Sequence, residues 1–445
     1  MIDVLKNRTF RHLFSAQVVA LVGTGLTTVA LALLAYDLAG AEAGAVLGTA
    51  LAIKMGVYIL LAPLSGALVP DRLRKRALVA LDLVRAAIAL MLPFVSEIWQ
   101  VYLLIAVLQS ASACFTPLFQ SIIPVVLRDE RDYTKALSLS RMAYDTESLL
   151  SPVLAAALLT VISYHTLFAG TSVGFVASAV LVLTSALPKV AKSERAVGPL
   201  QKALRGMRIY VRTPRLRGLL ALNLCAAAGG AMVFVNTVVV VRQTLGSGER
   251  EVAAVLAAFG LGSMGTALAM PRLLDRISDR TLMLSSALLM LATLVLTSLL
   301  WFLLGRSLSW PLVVVAWALM GIAYAGLVTP GGRLLRRSAN EDDMPFLFAA
   351  QFSLSHMCWL IAYPLAGWVG ATWGLGSALI SLATLAATAC AAGIRLWPAV
   401  DDVSLSHTHS DLQADHPHLA EHARADGSKH SHPYVIDELH TRWPR

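Results

Sequence analysis

Histidine is concentrated at one end of this 445-residue chain. Of its 11 histidines, His407, His409, His416, His418, His422, His430, His432 and His440 all follow residue 399, and only His12, His165 and His356 precede it. Three pairs, His407/His409, His416/His418 and His430/His432, are separated by a single residue. In an extended segment that spacing puts both rings on one side. Imidazole suits nickel, cobalt, zinc and copper(II). Asp401, Asp402, Asp411, Asp415, Glu421 and Asp426 add oxygen donors, and no cysteine in the stretch offers the soft ligand that copper(I) prefers. The competing reading is a solvated tail with no ligand role. The four cysteines, Cys114, Cys225, Cys358 and Cys390, stand alone in apolar runs and outline no disulfide framework.

A second group of reactive residues lies inside apolar runs. His356 has Met357 and Cys358 beside it, Lys54 is deep in the second run, and Asp145 and Glu147 are in the fifth. An ionisable side chain at bilayer depth is costly and generally faces a cavity. His356 is a candidate to bind a cation or exchange a proton. Lys54 repels a divalent cation but can titrate or pair with an acid. Asp145 and Glu147 can attract cations and protons in alternation, and their two-residue spacing brings only one of them to a given helix face. For each, the alternative is a structural hydrogen bond or ion pair. Asp82 and Arg85 are spaced as a helix ion pair, and there the structural role is the expectation. Asn223, Cys225 and Asn236 are weaker cavity candidates.

The elements that must position these groups follow from composition. Hydrophobic residues make up 57% of the chain and charged residues 14%, outside the soluble range. Apolar runs predict twelve spans near 13–36, 44–69, 77–95, 98–121, 137–161, 165–187, 217–241, 250–271, 281–304, 309–331, 346–370 and 374–396. The first run has no small-residue cleavage site after it and is expected to be retained as a span. The net charge of +9 comes from bases clustered between runs, which argues against nucleic acid. Arg72–Arg76, Arg128–Lys135, the 188–216 linker, Arg272–Arg280 and Arg333–Arg337 all fall on one side. The positive-inside rule therefore predicts cytoplasmic termini and a cytoplasmic tail in an inner-membrane protein.

The halves repeat in parallel. Asp71-Arg72-Leu73-Arg74-Lys75-Arg76 aligns with Asp275-Arg276-Ile277-Ser278-Asp279-Arg280, Thr116-Pro117 with Thr329-Pro330, and Ser151-Pro152 with Tyr363-Pro364. The expected fold is an all-α membrane protein of two parallel six-helix repeats, 1–187 and 217–398. A linker (188–216) joins them and a flexible His-rich tail (399–445) follows. Parallel repeats of this kind place a substrate between halves near the midplane.

Ala67-Leu68-Val69-Pro70-Asp71-Arg72-Leu73-Arg74-Lys75-Arg76 resembles the loop motif of the major facilitator superfamily, with Ala67 and Arg74 where two glycines are usual. Asn7–Phe14 and Phe115–Pro124 resemble its efflux branches. The resemblance covers about residues 5–397. It implies a latch at Asp71, Arg72, Lys75 and Arg76, repeated at Asp275, Arg276 and Arg280. The arginine that many proton-coupled drug antiporters carry in span four is absent; Gln109 and Ser110 are the polar residues there. With its His-rich tail the chain is most similar to nickel- and cobalt-resistance exporters of that superfamily. The expectation is proton-coupled secondary efflux of nickel, and of cobalt, by alternating access, with the bilayer as surround. A drug or siderophore exporter is the first alternative, and a non-transporting membrane metal sensor is the second. No cofactor is implied. Gly260-Leu-Gly262-Ser-Met-Gly265 lies within an apolar span with no strand before it, and there is no phosphate-binding loop.

Overall fold

The structure is a computed structural model. It describes residues 2–68, 73–127, 129–186, 199–304, 309–340, 343–399, 404–408, 429–437, 439–440 and 443. In chain order its helices are α1 (Arg8–Ala39), α2 (Ala43–Leu68), α3 (Arg74–Met91), α4 (Ile98–Val126), α5 (Glu130–Leu159), α6 (Tyr164–Thr184), α7 (Pro199–Arg212), α8 (Pro214–Val239), α9 (Glu249–Leu274), α10 (Asp279–Leu304), α11 (Trp310–Val328), α12 (Gly331–Arg336), α13 (Met344–Trp373) and α14 (Leu375–Leu396). All except α7 and α12 coincide with the twelve expected spans to within a few residues, apart from longer starts at α1 and α5. At about 1.5 Å per residue such helices cross a hydrocarbon layer of about 30 Å.

Among the described residues, ten segments are long and apolar enough to cross a membrane, and one of them, Arg8–Leu61, contains α1 and most of α2. The exception is α5, which carries Asp145 and Glu147 in its middle. The outer faces of α3, α6 and α10 expose Leu83, Leu90, Val176, Leu183, Leu288 and Phe302. An apolar exterior suits lipid rather than water.

The packing of one half is reproduced by the other. α1 lies on α6 as α8 lies on α14, and α2 on α4 as α9 on α11. α3 bridges α4 and α6 as α10 bridges α11 and α14. Two seams join the halves, α2 against α13 and α5 against α9, and they are equivalent under the repeat. Asn7 Oδ1 accepts from Phe10 N (3.0 Å) and Asp129 Oδ1 from Asp132 N (3.0 Å), so side-chain caps start the first helix and the charged one. The buried Asp82–Arg85 pair is structural, as expected. Ser178 donates to Asp82 at 2.8 Å, and the guanidinium lies over Phe115 and Phe175 at 4.1 and 4.5 Å.

Two regions differ from expectation. The 188–216 linker contains α7, an amphipathic helix held to α13 by Tyr210–Gln351 and Arg205–Asp343 contacts. The described parts of the tail are also ordered. β1 (Ser404–Thr408) and β2 (Lys429–Pro433) pair antiparallel, with His407 opposite His430 and Leu405 opposite His432. Beyond β2, Tyr434 and Ile436 are buried in the main core, and the Arg215 guanidinium of α8 lies over the Trp443 ring at 5.2 Å. Apolar Tyr434, Ile436 and Trp443 are what a freely solvated tail would lack, and they dock this segment. His409, His416, His418 and His422 lie outside the described residues.

Candidate functional site

Charge inside the bundle is carried by α2, which packs on α13, and by α5, which packs on α1 and α9. Lys54 lies about 16 Å along α2 from Ala43, and Glu147 about 18 Å along α5 from Leu159 at the opposite helix end. Both therefore sit at one depth. Glu147 acts electrostatically on Lys54. It is half-buried, and Ser151 Oγ donates to its Oε1 at 3.1 Å. Gly25 of α1 makes room for this arrangement, since a Cβ there would meet Ser151 Oγ at 1.9 Å and Glu147 Oε1 at 2.6 Å. Lys54 is also half-buried and makes no hydrogen bond among the described residues.

One turn along α2 from Lys54 is Tyr58. Its ring stacks on His356 of α13 at 5.2 Å and 9°, so four residues of helix connect the lysine to the imidazole. His356 Nδ1 contacts the Phe352 carbonyl at 2.6 Å, and the Phe352 ring lies 4.0 Å from the imidazole. This backbone contact ties the imidazole to its own helix. Tyr58 thus links the turn of α2 that carries Lys54 to His356 of α13. Asp145 lies on α5 two residues before Glu147, and its side chain is outside the described set. Tyr58 went unnoticed in the sequence; the signal was its four-residue spacing from Lys54.

Aromatic rings continue the α13 face into the second half. Trp359 stands 4.9 Å from Tyr363, 6.0 Å from Phe234 and 6.2 Å from Tyr324. Among the described residues, no group of three or more His, Cys, Asp or Glu is placed to hold a metal ion. Asn223 and Asn236 are buried, and Asn236 donates to Ala366 O at 3.1 Å, which gives it a helix-joining role. The Cys225 and Cys358 thiols contact backbone carbonyls at 3.8 and 3.9 Å.

The latch residues divide. Asp71 and Arg72 lie outside the described residues. Lys75 donates to Ser185 O at 2.6 Å, tying α3 to the end of α6, and Arg76 is exposed. In the second copy Arg280 donates to Trp397 O at 3.0 Å, while Asp275 and Arg276 are exposed. The acid that gathers bases there is Asp279, 5% exposed, with Arg337 at 2.8 Å and Arg333 at 3.6 Å. Asp275 caps the C-terminus of α9, where the dipole disfavours an anion, whereas Asp279 opens α10, where it is welcome. Asp279, which the motif alignment did not select, is the acid that pairs with these bases.

At the opposite end the halves touch through groups not anticipated from the sequence. Gly44 and Gly48 of α2 lie against Gly367 of α13, backbone to backbone. Nearby, Tyr164 donates to Asp37, Arg242 pairs with Glu249 at 3.7 Å, and the Arg242 guanidinium lies over Tyr36 at 5.1 Å. Arg242 is carried on a π-turn, Val240–Thr244, that extends α8.

Comparisons with known proteins agree with this architecture. Macrolide efflux protein A of Enterococcus faecalis is 24% identical over 163 residues, 34% of this chain and 50% of that protein. The uncharacterized MFS-type transporter YfiS of Bacillus subtilis (strain 168) is 30% identical over 145 residues, 32% of this chain and 34% of that protein. The chain thus spans half or less of the length of these relatives. Among solved structures, the nucleoside transporter NupG (D323A mutant) superposes with a TM-score of 0.67 at 12% identity, covering 87% of this chain and 100% of that one. A D-xylose-proton symporter superposes at 0.61 and 14% identity, covering 88% and 98%. The Major Facilitator Superfamily profile matches residues 13–290 and 219–424, and this multi-pass chain, with its doubled six-helix bundle, belongs to that superfamily.

Proposed function

We propose that the chain is a proton-coupled exporter of a positively charged cargo, working in the inner membrane with both termini in the cytoplasm. One observation carries this reading: Lys54 of α2 and Glu147 of α5 lie at one depth inside the bundle and near enough to interact electrostatically, and Lys54 makes no hydrogen bond among the described residues. A carboxylate whose counter-ion is so loosely held can exchange it. A proton or a cationic cargo takes the place of the ammonium, and alternating access of the halves lets the exchange occur on either side. His356 and Tyr58 form the next layer and meet the cargo with an imidazole and a ring face.

For the cargo we put a divalent ion of the nickel or cobalt type first. The support is the tail, where the β1–β2 register sets positions 407, 430 and 432 on one face of the ladder. The His432 and His440 rings lie 5.0 Å apart. In this reading His407, His409, His416, His418, His422, His430, His432 and His440 collect cytoplasmic metal. A second reading, export of an organic cation, is favoured by the aromatic wall around Trp359, since π faces attract cations and bury apolar surface. The similarity to a macrolide efflux protein supports it too.

Everted vesicles separate the two. With an imposed proton gradient, nickel accumulates under the first reading and a cationic dye such as ethidium under the second. Glu147→Gln abolishes either uptake and His356→Ala reduces it at equal expression. No flux of either probe leaves a membrane metal sensor as the surviving interpretation.

A further inference from the structure

A small cavity lies within the first half beside Lys54. It encloses about 10 Å³, room for about one water. Lys54 lines it, with Thr24 and Thr28 of α1 and Gln109 and Ser112 of α4. The three hydroxyls already donate to the carbonyl one turn back, at 3.0 Å for Thr24, 3.2 Å for Thr28 and 3.0 Å for Ser112. With their protons engaged in this way, these hydroxyls can offer a neighbour only lone pairs. Gln109 is 5% exposed and its Oε1 has no hydrogen-bond partner among the described residues. A buried acceptor left in this state is costly. The cavity therefore calls for a donor. It is too small for an organic ligand, and a foreign cation in it would lie against the ammonium of Lys54. Among the lining side chains, Lys54 carries the charged donor.

We propose that this cavity is a second seat for the Lys54 side chain, so that the lysine passes between Glu147 and the oxygens of Gln109, Thr28 and Ser112. The inference rests on the reading of Glu147 as an exchange site. When Glu147 takes a proton or a cargo cation, the ammonium keeps its own proton and moves into the cavity. There the amide and hydroxyl oxygens replace the carboxylate as acceptors. When Glu147 is emptied, the ammonium returns. The lysine thereby holds Glu147 neutralised between loads without leaving a bare charge in the membrane interior. The groups facing Lys54 are Glu147 from α5, Gln109 and Ser112 from α4, and Thr24 and Thr28 from α1. Tyr58 separates it from His356.

Reductive methylation of the purified full-length protein, read at Lys54 by peptide mass spectrometry, tests this without any substrate. Glu147→Gln should leave Lys54 methylation at or below the wild-type rate, because the ammonium settles in the cavity. Adding Gln109→Leu should then raise it about tenfold, the scale of one lost charge-assisted hydrogen bond. A Glu147→Gln rate already as high as that of the double variant overturns the proposal. The nearly isosteric Gln109→Glu gives an independent reading, since a carboxylate in the seat should capture the ammonium and slow methylation about tenfold. An unchanged rate means that Lys54 does not reach the cavity. Should methylation follow the expected pattern while vesicles carry neither nickel nor dye, the exporter reading fails and the second seat stands.

Discussion

Gly367→Ala tests whether the α2–α13 seam sets the balance between conformations. A Cβ at this position would lie 2.3 Å from Gly44 O, 3.0 Å from Gly44 C and 3.1 Å from the Gly48 Cα. Comfortable carbon–oxygen contact begins near about 3.3 Å, so the helices must part by about 1 Å at this end. The atoms in the way are backbone and cannot turn aside. Overpacking of this kind costs about 1–3 kcal/mol. Where two conformations differ in whether this end is closed, that cost falls on the closed one and shifts their ratio by about 5- to 150-fold. Spin labels at Glu42→Cys and Thr372→Cys, in a background without the four native cysteines, report the separation by double electron–electron resonance. The expected result is a new or enlarged long-distance population in the alanine variant. An unchanged distance distribution in a folded, monodisperse protein would refute the argument that this glycine contact holds the end shut.

Two further expectations follow from the same geometry. Asp82→Ala strands Arg85 between Phe115 and Phe175, and breaking such a buried pair costs about 3–5 kcal/mol; a fall in melting temperature in detergent checks it, whereas an exposed pair such as Lys6–Asp3 should show almost none. Trp443→Ala removes the ring under Arg215 and should release the tail from the bundle, seen as faster proteolysis after residue 399. Acid should do the same. Burial pushes the Asp437 carboxyl up, but hydrogen bonds from His440 outweigh this and hold it below its ordinary 3.8, so its contribution to the Asp437–His440 turn of the docked segment is complete above that value and is lost as pH falls through the lowered one.

Some of the site was legible in the chain and some was not. Lys54, Glu147 and His356 stood out because ionisable residues are rare inside apolar runs, and any such residue invites a functional explanation. That the turn of α2 carrying Lys54 packs against His356 did not follow from spacing. It requires α2 of one half to cross α13 of the other, and Tyr58 to fill the space between. Asp279 was hidden by a motif match to Asp275, although a carboxylate belongs at the start of α10 rather than the end of α9. Gln109 was visible as a polar residue in span four, but its unpartnered oxygen is a property of the packed cavity.

Twelve spans, two parallel halves and a basic side are written in local composition, because every backbone polar group in lipid must be satisfied within its own helix and the bases stay out of the apolar layer. The tail's ordering is different. Its histidines and acids suggest a solvated strand, yet Tyr434, Ile436 and Trp443 find apolar partners only once α8 and its neighbours have assembled. Which acid binds which base, and where the lysine can rest, were likewise decided by tertiary packing. Such pairings depend on distances between helices that no single segment encodes.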